Sequence, residues 1–213
     1  MKHKLAAVSF LILSACIDSA RFEVPQPEGV QDEKSVPKKL FGKYLSTSDS
    51  SVLTINEYSI IKEKQTIEKG LKSILDSSER VMHDTSFTRI EFNLSLRLTF
   101  VRRQIQRGDS VFIHTNSVDT LYLRNNRFVI RKFKGYFFLS KRIFSDSWQV
   151  RKLEKIKGGI IIGEIATKQE LNELRAITEV HDSTNTFKPT KQQFKKILQQ
   201  DGFKSEEKFL RIE

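Results

Sequence analysis

Leu121-Tyr122-Leu123-Arg124-Asn125-Asn126-Arg127-Phe128-Val129-Ile130-Arg131 decides the fold class. Two β-favouring runs flank Asn125-Asn126, a pair suited to turns because the short amide side chain bonds back to its own backbone. After the turn, Phe128 and Ile130 alternate with Val129 and Arg131, which sends successive side chains to opposite faces of a strand. The pattern continues on both sides. Downstream, Tyr136-Phe137-Phe138-Leu139 is aromatic and β-favouring, Trp148 and Val150 alternate with Gln149 and Arg151, and Gly158-Gly159 makes a turn before Ile160-Ile161-Ile162. Upstream, Gly108-Asp109 precedes Val111-Phe112-Ile113, and Leu53-Thr54-Ile55 meets Ser59-Ile60-Ile61 across Asn56-Glu57 as a hairpin. Strands at intervals of about ten residues joined by tight turns predict a mainly β fold, an antiparallel meander that curls or closes like a barrel to manage its edges.

Two capping boxes place short helices after the sheet. Thr167-x-x-Glu170 precedes Leu171 and Leu174. Thr190-x-x-Gln193 follows Pro189 and opens a helix with Phe194, Ile197 and Leu198 on one face. Gly202 sits where a C-terminal glycine cap is expected, with Phe203 as its apolar contact. A helix with one apolar stripe must pack on the sheet. Phe209 to Ile212 predicts a final edge strand, and residues 67–78 are ambiguous, a short stretch whose Ile67, Leu71, Ile74 and Leu75 fit a helical face.

Composition sets the outer limits. The chain has 213 residues, with 37 Lys+Arg against 26 Asp+Glu, a formal charge of +11. Sixteen Phe, four Tyr and one Trp supply a core, which excludes disorder for the bulk. One cysteine, Cys16, excludes a disulfide scaffold. No apolar run is long enough for a membrane-spanning helix, which needs about 18 residues or more.

The N-terminus carries an address. Met1-Lys2-His3-Lys4 is basic, Leu5 to Leu13 is apolar, and Ser14-Ala15 are small. These are the parts of a secretory signal, residues 1–15. Leu13-Ser14-Ala15-Cys16 resembles the lipobox of bacterial lipoproteins. The resemblance implies a diacylglycerol on the Cys16 thiol, cleavage by signal peptidase II before Cys16, and acylation of the new amino group. Each buried CH₂ adds about 0.8 kcal/mol, so several chains hold firmly where one does not. Residues 16–39 then read as the lipidated cysteine and a flexible tether, because Pro25, Pro27 and Pro37 and many charges show no periodicity. Residues 40–213 form the expected single β-rich domain with C-terminal helices.

The body also resembles small envelope lipoproteins of Bacteroidetes, through Gly42-Lys43-Tyr44, through Lys188 to Phe194 and through Gly202-Phe203. That resemblance implies architecture and address and no activity. In such lipoproteins an acidic cluster after the cysteine directs surface export. Here only Asp18 is acidic in Ile17-Asp18-Ser19-Ala20-Arg21, so the expectation is an outer-membrane anchor facing the periplasm.

No catalytic motif stands out. His83, His114 and His181 share no metal-ligand spacing, and His3 leaves with the signal, so no metal or cofactor is expected. Gly158-Gly159 with Gly163 lacks the Lys-Ser/Thr end of a phosphate loop. Asp76, Glu79 and Asp84, and the pair Glu206-Glu207, read as solvated carboxylates. Charge is the asymmetric feature: residues 97–157 hold fifteen Lys+Arg and four acids. Arg127 and Arg131 share one strand face, and with Lys132 and Lys134 they are the candidate anion-binding residues. Their expected partner is an acidic envelope component such as phosphate-bearing headgroups; nucleic acid belongs to another compartment. The functional expectation is a membrane-anchored, non-enzymatic binding or structural module. A lipocalin-like carrier of a small apolar ligand and an enzyme acting on envelope polymers are the alternatives.

Overall fold

The computed structural model describes residues 19–71, 86–93, 98–107, 109–180 and 185–213. The expected signal segment, Cys16, residues 72–78 of the ambiguous stretch, Asp76, Glu79, His83, Asp84 and His181 lie outside them. The elements in chain order are β1 (Arg21–Phe22), a 3₁₀ turn (Lys38–Leu40), β2 (Gly42–Ser46), β3 (Val52–Ile55), β4 (Ser59–Leu71), β5 (Ser86–Asn93), β6 (Leu98–Arg107), β7 (Ser110–Leu123), β8 (Phe128–Phe133), β9 (Tyr136–Phe144), β10 (Ser147–Ile156), β11 (Gly159–Glu164), α1 (Lys168–Thr178), β12 (Thr186–Phe187), α2 (Lys191–Gln199) and β13 (Ser205–Arg211).

The fold is mainly β, as the alternation predicts. Three antiparallel meanders, β2-β3-β4, β5-β6-β7 and β8-β9-β10-β11, join into one sheet through the β4–β7 and β11–β13–β2 pairings. The pairing of β1 with β12 is parallel and makes the sheet mixed. The sheet curls but does not close: β7 comes beside β8 and β9 without forming a ladder with either. The local reasons are those read from sequence. Asn56 Oδ1 accepts the N–H groups of Tyr58 and Ser59, both at 2.9 Å, which closes the β3–β4 turn. Asn125 Oδ1 accepts the Arg127 N–H at 2.9 Å before β8. Both capping boxes are formed, at Thr167/Glu170 and at Thr190/Gln193.

The sheet has a core on each side. Inside the curl lie Tyr44, Leu53, Ile55, Ile60, Leu121, Ile130, Phe137, Leu139, Leu153, Ile162 and Phe209, all buried. Outside, Phe22, Phe138, Trp148 and Val150 pack beneath α1 and α2 with Leu171, Leu174, Phe194 and Phe203. Period-two alternation feeds both: on β9, Phe137 and Leu139 point inward and Phe138 outward.

Three expectations are corrected. β13 is not an edge strand; it sits between β11 and β2 and links the two ends of the chain's order in the sheet. The left-handed residue after α2 is Asp201, at φ 56°, and not Gly202. Gly202 is required for space instead, because a Cβ there would stand 2.3 Å from Ile197 Cγ2. The described part of the expected tether, residues 19–39, is folded onto the sheet. Phe22 in β1 pairs opposite Trp148, Gln26 donates its N–H to Ser140 Oγ at 3.2 Å, and Phe22, Gln26 and Val36 are all buried. Prolines and charges hid this, because an irregular segment draped over a sheet needs only occasional apolar anchors and no period.

Candidate functional site

On six strands an inward apolar residue has an inward charge two places away, after it on three strands and before it on the other three. The pairs are Ile60 and Lys62 on β4, Leu121 and Asp119 on β7, Leu139 and Lys141 on β9, Leu153 and Arg151 on β10, Ile162 and Glu164 on β11, and Phe209 and Glu207 on β13. Residues two apart share a face. The ladder registers Lys62 opposite Asp119, Arg151 opposite Leu139, and Ile162 opposite Glu207, so these faces coincide. The result is a charged collar at one mouth of the curled sheet, standing on the apolar interior. It encloses a cleft of about 130 Å³ lined by Lys62, Asp119, Arg151, Glu164, Ser205 and Glu207, with Leu121 and Ile162 from the inner core.

The collar is charge-matched. Arg151 Nη1 stands 2.9 Å from Asp119 Oδ2, and its Nε 3.4 Å from Glu164 Oε2. Lys141 Nζ approaches Asp119 at 3.5 Å. Lys62 pairs with Glu207, which also accepts the Ser46 hydroxyl at 2.8 Å. Burial alone would lower the Arg151 guanidinium's pKa; the carboxylates of Asp119 and Glu164 raise it above its ordinary value. Beside the collar, burial alone would raise the Asp49 carboxyl. The hydroxyl and N–H of Ser51, the Lys62 ammonium and Ser46 outweigh it and hold Asp49 well below the usual carboxylate range. Chemically, the cleft offers fixed donors and acceptors in pairs, suited to gripping a small polar group. Every carboxylate in it already faces a cation or a hydroxyl.

Arg151 is the keystone, because it bridges two carboxylates from different strands. Arg151→Ala is expected to cost about 2 kcal/mol, less than a fully buried ion pair because the site meets solvent. A lowered urea midpoint would show it, and Arg151→Lys should recover part of the loss by keeping the charge without the fork.

The sequence-predicted site residues fall elsewhere and apart. Arg127 is exposed at the start of β8. Arg131 turns onto the N-terminal segment: its guanidinium donates to the carbonyls of Pro25 and Pro27 and pairs with Asp32 at 2.7 Å, which leaves the side chain 15% exposed. Arg131 therefore clamps the N-terminal segment. Lys132 is exposed, and Lys134 sits at the tip of the β8–β9 turn with φ 52°. Arg127 and Lys134 are thus separated by the length of β8, roughly 23 Å for seven residues. Among the described residues, the basic side chains of this stretch do not make one face. Arg124 pairs with Glu57, Lys141 and Arg151 belong to the collar, and Lys152 pairs with Glu206 at 2.9 Å on the other face of β10. Glu206 and Glu207, read as solvated, both hold cations within β13. The collar was missed because charge spacing becomes a ring only once the strand register is known. The repeated triplet on six strands, apolar-x-charged on three and charged-x-apolar on three, was the available signal.

The chain matches no family model, no curated protein and no solved structure.

Proposed function

We propose that the protein is a lipid-anchored envelope lipoprotein, held to the membrane through Cys16, whose curled β domain is a non-enzymatic binding or structural module. The observation that carries this reading is the motif Leu13-Ser14-Ala15-Cys16, with the chain's one cysteine at the end of a short apolar run. The architecture supports the module over a carrier of apolar ligands, because the inside of the curl is filled by packed side chains such as Leu53, Ile60, Phe137 and Phe209. The charged collar over that interior is the module's proposed recognition site. Arg127, Lys132 and Lys134 are further solvent-facing candidates for contact with an acidic envelope component.

Metabolic labelling with a fatty-acid analogue tests the anchor. The wild-type chain is expected to incorporate label and to sediment with the outer membrane, while Cys16→Ser stays unlabelled. Equal labelling of the two would remove the anchor from the proposal.

A further inference from the structure

If Cys16 carries the lipid, the folding of residues 19–39 onto the sheet changes where the domain stands. Ala20 donates its N–H to the Ile165 carbonyl at 2.9 Å, and Arg21 its N–H to the Asn185 carbonyl at 2.7 Å. Ala20 and Phe22 are buried. The connection from Cys16 to Ser19 is therefore three residue steps, which span at most about 11 Å. The surface around Ser19 is held within a headgroup layer's thickness of the bilayer.

That surface has the composition of a membrane-contacting corner. The Arg21 guanidinium lies 5.6 Å from the centroid of the Phe144 ring, and Phe144 is 53% exposed. Next to it the Arg142 guanidinium lies 4.7 Å from the Trp148 ring, and Trp148 pairs opposite Phe22. Arg127 is joined to Arg142 by a backbone hydrogen bond of 2.8 Å, which brings a third guanidinium to the same end of the sheet. Arg21, Arg127 and Arg142 are exposed. The nearby acids are Glu23, which pairs with Lys188, and Asp146 in the β9–β10 turn. Exposed aromatic and basic side chains suit the interface, where rings sit at headgroup level and each cation near an anionic surface contributes about 1 kcal/mol. The tether concentrates this corner at the membrane.

We infer that the corner formed by Arg21, Arg127, Arg142 and Phe144 docks on the phospholipid headgroups of the membrane that holds the anchor, fixing the domain's orientation. The inference rests on the lipidation of Cys16. Docking leaves Lys134, at the far end of β9, turned away: Tyr136 to Phe144 is about 26 Å of strand.

The test uses the full-length lipidated protein in phosphatidylethanolamine–phosphatidylglycerol vesicles. A polarity-sensitive dye is placed on Ser145→Cys or on Lys134→Cys. Docking predicts a blue shift at 145, none at 134, and partial reversal in about 0.5 M salt. A second variant carries a flexible Gly/Ser insert of about 30 residues between Asp18 and Ser19, spanning roughly 30 Å. Docking predicts that the shift at 145 survives the insert and is lost when Arg21, Arg142 and Phe144 are also replaced by Ser. The insert leaves the folded domain's own sequence unchanged. Loss of the shift with the insert alone would mean that a short leash only enforces proximity, and equal shifts at 145 and 134 would mean no fixed orientation; either overturns docking while the anchor stands. A chain with no lipid on Cys16 fails at the anchor, and docking falls with it.

Discussion

Phe194→Ala is expected to destabilise the protein by about 4 kcal/mol, the range for emptying a large ring from a packed core. Phe194 is fully buried at the meeting point of α2 and the outer sheet face. Its ring stands 5.0 Å from that of Phe138, nearly perpendicular, and 6.1 Å from that of Phe203, with Phe133 at 6.5 Å. These edge contacts add to the loss of apolar area. α2 is nine residues long with one apolar stripe, too short to hold itself in water. The cavity therefore removes the main reason for the helix to dock. Chemical denaturation should show a lowered midpoint, and Phe194→Leu should lose much less. A change under about 1 kcal/mol for the alanine variant would mean that the helix does not depend on this contact.

Glu170→Ala is expected to cost about 3 kcal/mol, because its removal leaves buried donors unpaired. Its buried carboxylate accepts the N–H groups of Ala166 at 3.1 Å, Thr167 at 2.9 Å, Lys204 at 2.7 Å and Ser205 at 3.1 Å, and the hydroxyls of Thr167 and Ser205, both at 2.8 Å. It thereby caps α1 and ties that helix to the start of β13. Each stranded donor costs about 1–3 kcal/mol if left unpaired, and water entry offsets part of the sum. The same contacts give a pH dependence. Burial alone would raise this carboxyl, but the bonds from Thr167, Ser205 and Ala166 outweigh it and lower its pKa below the ordinary value. The folded state thus binds fewer protons than the unfolded chain. The stabilisation is complete above the unfolded value of about 4.3 and is lost as pH falls through the lower folded value. Denaturation midpoints followed from neutral pH down through the carboxylate range should fall more steeply for wild type than for Glu170→Gln. Parallel curves would show that Glu170 titrates alike in both states.

The features legible in sequence are those set by neighbours along the chain. Asn56 and Asn125 announce turns through their own side-chain bonds, and Thr167-x-x-Glu170 and Thr190-x-x-Gln193 announce helix starts, because each device closes within four residues. What depends on distant pairing was hidden. β13 carries a single buried residue, Phe209, among charges, and looks like an edge until β11 and β2 are seen on either side. Arg131 looked outward by alternation, and it is on the opposite face from Ile130, but Pro25, Pro27 and Asp32 cover that face. Glu170 was legible as a cap and illegible as a clamp, since its other partners lie thirty-four and thirty-five residues away. The collar shares this character: six strands each contribute one ordinary charge, and only the register joins them.

Intact-mass analysis of the protein extracted from membranes tests the central claim most directly. The account predicts a chain that begins at Cys16 and carries a diacylglyceryl group on its thiol, with a further acyl chain on the amino group. A chain that retains Leu13-Ser14-Ala15, or one that begins at Cys16 with the mass of an unmodified thiol, would contradict it.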